Sequence, residues 1–270
     1  MTERTLKIIT MTTDFGLDNW FVGTMKGVIK GINPDVEIVD ITHSIRHCNV
    51  REGAFTLLNS YCYFPEGTIH LAVIDPGVGT ARRCIAVRST RYYFVAPDNG
   101  VLSYAINQEE GVKIIAIENP KYMLQQISTT FHGRDIFAPA AAHLSLGAGI
   151  KEFGTSIDDP ILFEKSAPAR IGARELIGHI IFIDHFGNCI TDIAVKHIEE
   201  IGGKSATNRI KIKIRDKEIR KFSNTYSDGT VNELICLFGS SGYLEFSVNK
   251  GNANKQFTIE EGGEFILKVL

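Results

Sequence analysis

The sequence predicts an α/β N-terminal domain with a mostly parallel central sheet flanked by helices, followed by a smaller all-β C-terminal domain, barrel or sandwich. Three observations carry this reading. In the first half, strand, helix, strand, helix and strand follow one another, which implies parallel pairing with helices packed outside. In the second half, short alternating or apolar runs are separated by Gly, Asn and Asp, and only Asp192 to Ile201 has helical spacing, a pattern of all-β structure. Between them, Ser166 to Glu175 loosens around Ala167-Pro168-Ala169-Arg170, which sets domains over residues 1–168 and 174–270.

Taken in order, Leu6 to Met11 is an apolar strand running into Thr12-Thr13-Asp14-Phe15-Gly16, a carboxylate at a strand end before a glycine. Trp20 to Ile32 carries Phe21, Met25, Val28, Ile29 and Ile32 at helical spacing and stops at Asn33-Pro34. Val36 to Ile41 is a strand, followed by Thr42-His43-Ser44 and a helix over Arg51 to Tyr61. Ile69 to Ile74, rich in β-branched residues and bounded by Gly67 and Pro76, is an interior strand that delivers Asp75 to its C-terminal end. Ligands of open α/β sheets bind in the crevice outside such ends, and Gly77 and Gly79 allow close backbone approach there. Arg82 follows in the same glycine-rich loop, where a tight turn can fold it back towards Asp75.

Cys84 to Val87, Tyr92 to Val95 and Val112 to Ile117 are further strands, with Ala96-Pro97-Asp98-Asn99-Gly100 a turn. Phe131-His132-Gly133-Arg134-Asp135 precedes an alanine-rich helix from Ile136 to Leu146, so His132 falls just before a helix N-terminus. The β half supplies strands over Gly178 to Asp184, Arg209 to Ile214, Glu218 to Phe222, Leu234 to Phe238, Tyr243 to Val248 and Glu264 to Val269. Two of its turns have chemical potential. Asp184-His185-Phe186-Gly187-Asn188 can bind an ammonium and stack a heterocycle, and Gly239-Ser240-Ser241-Gly242 offers hydroxyls and N–H groups for a carboxylate. Each is also a common hairpin on its own.

Composition narrows the function. At 270 residues and 44% hydrophobic the chain can bury a sizeable core. A net charge of -2 with mixed signs argues against nucleic acid or anionic membrane as a partner. No apolar run is long enough to span a bilayer, and the first residues lack a signal-peptide apolar region, so a cytoplasmic protein is expected. Cys48, Cys62, Cys84, Cys189 and Cys236 are scattered and odd in number, which indicates buried thiols rather than a disulfide framework or a zinc knuckle.

The motif set resembles a known family: Thr12-Thr13-Asp14-Phe15-Gly16, Asp40-Ile41-Thr42-His43-Ser44, Asp75-Pro76-Gly77-Val78-Gly79-Thr80 with Arg82, Pro97-Asp98-Asn99-Gly100, Phe131-His132-Gly133-Arg134-Asp135, Asp184-His185-Phe186-Gly187-Asn188 and Gly239-Ser240-Ser241-Gly242. Together they are similar to the S-adenosyl-L-methionine (SAM) hydroxide adenosyltransferases, or SAM hydrolases, relatives of the fluorinating and chlorinating enzymes. The resemblance implies hydrolysis of SAM to adenosine and L-methionine, without metal or other cofactor, in a homotrimer whose sites lie between subunits. It implies a catalytic set of Asp75, Arg82 and His132. Asp14 matches the holder of the ribose hydroxyls, Asp184 and Asn188 the groups at the methionine portion, Phe186 the aromatic beside adenine, and Ser240 a hydroxyl near the methionine carboxylate. Glu245 and Val248 fall on the segment that runs along the nucleoside, Val248 through its backbone. The halogenating relatives carry an aromatic residue in place of Asp75, so water is favoured over halide as the nucleophile.

This chemistry suits the residues. The sulfonium of SAM leaves as a neutral thioether, so the demand falls on the nucleophile. Arg82 can favour hydroxide, His132 can accept or relay a proton, and Asp75 can orient water or fix the arginine. Three alternatives are a 5′-halogenase, a SAM or adenosine sensor without turnover, and a metal-dependent hydrolase built on Asp14, His43, Asp75 and His132.

Overall fold

The short β-branched runs of the first half pair into a six-stranded sheet whose inner strands are buried on both faces, the condition under which parallel strands persist. The computed structural model describes residues 7–204, 206, 209–220 and 222–270. Two compact units divide between Glu164 and Lys165.

In the first unit the elements run β1 (Ile8–Thr13), α1 (Phe21–Ile32), β2 (Glu37–Thr42), α2 (Val50–Leu58), β3 (Ile69–Val73), β4 (Cys84–Arg88), β5 (Tyr93–Pro97), α3 (Ser103–Ile106), β6 (Lys113–Ala116), a π-helical turn (Gly133–Phe137) and α4 (Ala138–Ser145). The sheet order is β2-β1-β3-β5-β4-β6. The pairs β1–β2, β1–β3 and β3–β5 are parallel, whereas β4–β5 and β4–β6 are antiparallel. The loop between β4 and β5 is too short for a crossover, so those two strands form a hairpin. Ile9, Met11, Leu71, Val73 and Val95 pack with α1 and α4 on one face, and Ala72, Ile74, Val87, Phe94 and Ala96 with α2 and α3 on the other.

That layering fixes where a ligand can sit. The chain leaves β1 through α1 on one face to reach β2, then crosses through α2 on the other face to reach β3, on the far side of β1. A crevice opens where the crossovers part, at the C-terminal ends of β1 and β3. Asp14 and Asp75 are the carboxylates delivered there.

The second unit contains β7 (Ala169–Gly172), β8 (Glu175–Ile183), β9 (Cys189–Ala194), α5 (Val195–Gly202), β10 (Ile210–Ile214), β11 (Lys217–Ile219), β12 (Leu234–Phe238), β13 (Tyr243–Val248), α6 (Ala253–Phe257) and β14 (Glu264–Val269). Its sheet is antiparallel in the order β11-β10-β14-β8-β9-β13-β12, with β7 also on β8. The unit is barrel-like and carries its own core around Ile193, Ile212, Leu244, Phe246 and Leu267.

Several boundaries differ from expectation. The helical reading of Asp192 to Ile201 is corrected, since Asp192 to Ala194 belong to β9 and the helix begins at Val195. The loosened stretch after Ser166 contains β7, held by pairing to β8. Cys48, in the loop before α2, and Cys62, in a single 3-10 turn over Tyr61–Tyr63, are exposed, so only Cys84, Cys189 and Cys236 are buried thiols. Leu6 and Lys221, within two expected strands, lie outside the described residues. Among the described residues no helix is long and apolar enough to cross a membrane.

Candidate active site

The turn after β3 is shaped by glycine. Gly79 has φ +77°, and a Cβ there would stand 2.2 Å from the Thr129 carbonyl oxygen, so only glycine lets the loop meet the segment leading to His132. Asn99, from the turn after β5, donates through Nδ2 to the Ile74 carbonyl at 2.8 Å and anchors the backbone beside Asp75.

Across this turn Arg82 folds back on Asp75. Its Nε donates to Oδ1 at 2.9 Å and to Oδ2 at 3.1 Å, and its Nη2 also donates to Oδ2. The same Nη2 donates to His132 Nδ1 at 2.8 Å, and Nη1 to the Cys84 sulfur at 2.8 Å. The guanidinium also lies over the Phe137 ring, 5.2 Å from its centroid. Both side chains of the ion pair are nearly closed to solvent, at 8% for Arg82 and 5% for Asp75. Burial first, and then the Arg82 charge, push the His132 pKa below its ordinary value, so the ring is neutral at neutral pH. Arg82 is a donor only, so Nδ1 accepts and the proton resides on Nε2.

Asp75 and His132 line a cavity of about 300 Å³ whose wall also includes Asp14, Phe15, Phe21 and Phe131. Arg82 is not part of that wall; it stands behind the other two. The three phenylalanines pack edge to face or tilted, with centroids 5.1 to 5.9 Å apart, and make an apolar side. Asp14 Oδ2 accepts from the Cys48 backbone N–H at 2.8 Å. Its neighbour Thr13 is braced by a chain of contacts in which the Thr13 hydroxyl meets His43 Nδ1 at 2.8 Å, His43 Nε2 lies 3.1 Å from Asp40, and Asp40 accepts from Lys26. His43 is thus buried in a brace. The donors Asp14, His43, Asp75 and His132 do not form one metal-ligand group among the described residues.

In the second unit Asp184 closes its own hairpin. Oδ1 accepts from the N–H groups of Phe186 and Asn188 at 2.9 and 2.8 Å, and Oδ2 accepts from Asn188 Nδ2 at 2.8 Å. Gly187, at φ +86°, completes the turn and leaves Phe186 71% exposed. Ser240 is exposed, while the neighbouring Ser241 hydroxyl is buried without a partner. Glu245 lies inside β13, accepts from the Tyr226 hydroxyl at 2.6 Å and has its pKa raised by burial. The Val248 side chain belongs to the core of this unit.

Residues 9–154 match the SAM hydroxide adenosyltransferase N-terminal domain, and residues 178–266 the C-terminal domain of the same family. The chain belongs to the SAM hydroxide adenosyltransferase family. A relative named (R)-S-adenosyl-L-methionine hydrolase, from Methanocaldococcus jannaschii, is 37% identical, covering 96% of this chain and 95% of its own. A relative from Nocardia brasiliensis named fluorinase is 27% identical, with 97% of each chain covered. The crystal structure of an uncharacterized conserved protein from Thermotoga maritima superposes with a TM-score of 0.88 at 36% identity, covering 96% of this chain and 99% of that one.

Within this family member, sequence reasoning missed Phe21, Phe131, His47 and Cys48 as cavity residues. Phe131 stood inside a quoted motif. His47 and Cys48 carry no local pattern, and only the parallel pairing of β1 with β2, which sets the loops after both strands side by side, brings them to Asp14.

Proposed function

We propose that this chain hydrolyses SAM to adenosine and L-methionine by in-line attack of water on the ribose C5′. The observation that carries this reading is that Arg82, from behind, joins Asp75 and His132 on the wall of a cavity that also presents Asp14. Family membership supports it, since relatives above 30% identity over most of the chain are named SAM hydrolases.

The new bond forms between water oxygen and C5′. The C5′–S bond breaks with its electron pair going to sulfur, and methionine leaves as a neutral thioether. Attack cancels charge, so an apolar wall helps the step. Water in the cavity can donate to Asp75, whose carboxylate Arg82 holds from behind, and Asp75 takes the proton. His132, with Nδ1 engaged, donates through Nε2–H to an oxygen in the cavity. Asp14 holds the ribose hydroxyls. Asp184 and Asn188 hold the methionine portion, Phe186 covers adenine, Ser240 meets the methionine carboxylate, and Glu245 and Val248 run along the nucleoside. These latter groups belong to the other unit, and in the proposed homotrimer a neighbouring subunit supplies them. No metal or cofactor enters the scheme, and the scattered cysteines favour a cytoplasmic setting.

The deciding experiment incubates purified protein with SAM in ¹⁸O-labelled water, without added metal. Adenosine and methionine should appear in equal amounts, with label in the 5′-hydroxyl. Unlabelled adenosine would sink water as nucleophile, a 5′-chloro product at cellular chloride would favour the halogenase reading, and bound SAM without product would favour a sensor.

A further inference from the structure

A second set of donors meets at the same cavity. Asp14, His47 and Cys48 each bring one ligand atom to within 4.8 Å of the others: a carboxylate oxygen, an imidazole nitrogen and a sulfur. Asp14 Oδ2 lies 3.6 Å from His47 Nδ1, and Cys48 Sγ lies 3.4 Å from His47 Nε2. Around a tetrahedral ion with bonds of about 2.0 to 2.3 Å, donor atoms stand roughly 3.3 to 3.8 Å apart. The two His47 contacts use opposite nitrogens of the ring, and one ion takes only one of them. The His47 side chain, 89% exposed, therefore has to turn to set a single nitrogen between the carboxylate and the thiol, all three ligand atoms already lying within 4.8 Å. Cys48 is fixed by its backbone. Its φ of 60° is unusual for a residue with a Cβ, and in this conformation its N–H reaches Asp14 Oδ2 at 2.8 Å. The Cys48 backbone is thus tied to the carboxylate independently of the imidazole.

We propose that Asp14, His47 and Cys48 form a site for a borderline-soft divalent ion of the Zn²⁺ class at the nucleoside cavity, and that ion and nucleoside exclude each other. A mixed oxygen, nitrogen and sulfur set selects against Mg²⁺ and Ca²⁺, which take oxygen donors. Three protein ligands leave one position for water, and Cys48 binds as thiolate with its proton passing to solvent. The exclusion arises because both occupants require Asp14. That half rests on the reading of Asp14 as the ribose holder; the metal site itself does not. The ion is a brake on the site and takes no part in hydrolysis.

Co²⁺ is the probe, because a thiolate gives it a charge-transfer absorption and four-coordination strengthens its visible bands. Metal-free, reduced protein should take up one Co²⁺ per chain, and Zn²⁺ should displace it. Saturating adenosine should remove the bands. Cys48→Ser should abolish the charge-transfer band, and so should Cys48→Gly, which also relieves the left-handed backbone; circular dichroism confirms that both are folded. His47→Gln should weaken Co²⁺ more than tenfold. Absence of a one-to-one band, or a band kept in Cys48→Gly, overturns the site. Bands that persist under adenosine shown by calorimetry to be bound overturn the exclusion. Cobalt binding with these dependences in a protein that releases no adenosine from SAM would sustain the site and sink the hydrolase reading, whereas hydrolysis without a cobalt band would do the reverse.

Discussion

Arg82 Nη2 donates to His132 Nδ1 across 2.8 Å, joining the loop after β3 to the residue that heads the π-helical turn. A guanidinium keeps its protons at any working pH, so it dictates the tautomer of the ring it touches. The imidazole becomes a fixed neutral donor, a narrower role than the proton acceptor or relay that residue type alone allowed.

The pH profile tests that role. Burial and the Arg82 charge place the His132 pKa below 6.5, so the ring is neutral from there upward. As pH falls through the lowered value, a proton on Nδ1 confronts the guanidinium and the contact is lost. Turnover at saturating SAM should hold from neutral pH to below 6.5 and drop only at more acidic values. An acid limb with its midpoint above 6.5 that disappears in His132→Gln would show a charged histidine at work instead.

Arg82→Lys should separate catalysis from binding. Lysine cannot bridge Asp75, His132 and Cys84 at once, so the cavity-facing pair loses its backing, while the cavity wall itself is untouched. Turnover should fall roughly 100-fold, about 2.7 kcal/mol of barrier, with SAM affinity by calorimetry within a few-fold of the parent. Asp14→Ala should do the opposite and weaken binding first. Equal losses of affinity in both variants would place Arg82 among the binders.

His70 gives a stability test away from the site. It is fully buried among Tyr61, Tyr92 and Phe94, bonded through Nδ1 to Thr10 at 2.8 Å, and burial lowers its pKa to about 3. The unfolded chain takes up a proton near 6.5, so this contribution is complete above that pH and is lost progressively as pH falls towards 3. The slope is at most about 1.4 kcal/mol per pH unit. Denaturant midpoints of His70→Gln should be lower at neutral pH but less sensitive to acid between 6.5 and 4. Parallel acid dependence in the two proteins would mean that His70 is protonated without penalty.

Subunit mixing addresses the proposed trimer. Asp75→Ala and Asn188→Ala proteins, each inactive alone, should regain activity on co-refolding, because every mixed cyclic trimer has one junction where an intact first unit meets an intact second. Random equal mixing makes about three quarters of trimers mixed with one live site in three, so roughly a quarter of parental activity should return. Verified exchange with no recovery would place each site within one chain.

The strand ends were legible because the chemistry of β1 and β3 is local: β-branched runs closed by Gly or Pro put Asp14 and Asp75 at their C-terminal sides. Strand β9 was not, since its buried Thr191 and Asp192 interrupt the apolar run by which a fully buried strand is recognised. The π-helical turn has no periodicity of its own within so few residues. The placement of Arg82 behind Asp75 and His132, and the approach of His47 and Cys48 to Asp14, depend on how the loops cross above the sheet, which spacing along the chain does not encode.

The π-helical turn at Gly133–Phe137 holds one residue more than an α-helical turn would, immediately ahead of α4. Excising any single residue there would let the segment relax into the register of the helix behind it. Everything upstream would then rotate by about 100° and move by about 1.5 Å along the axis. His132 would swing off the guanidinium although Asp75, Arg82 and His132 were all still encoded. Substitutions along this stretch leave that angle alone, whereas a one-codon deletion does not, so the aim of His132 depends on the length of the turn more than on its composition.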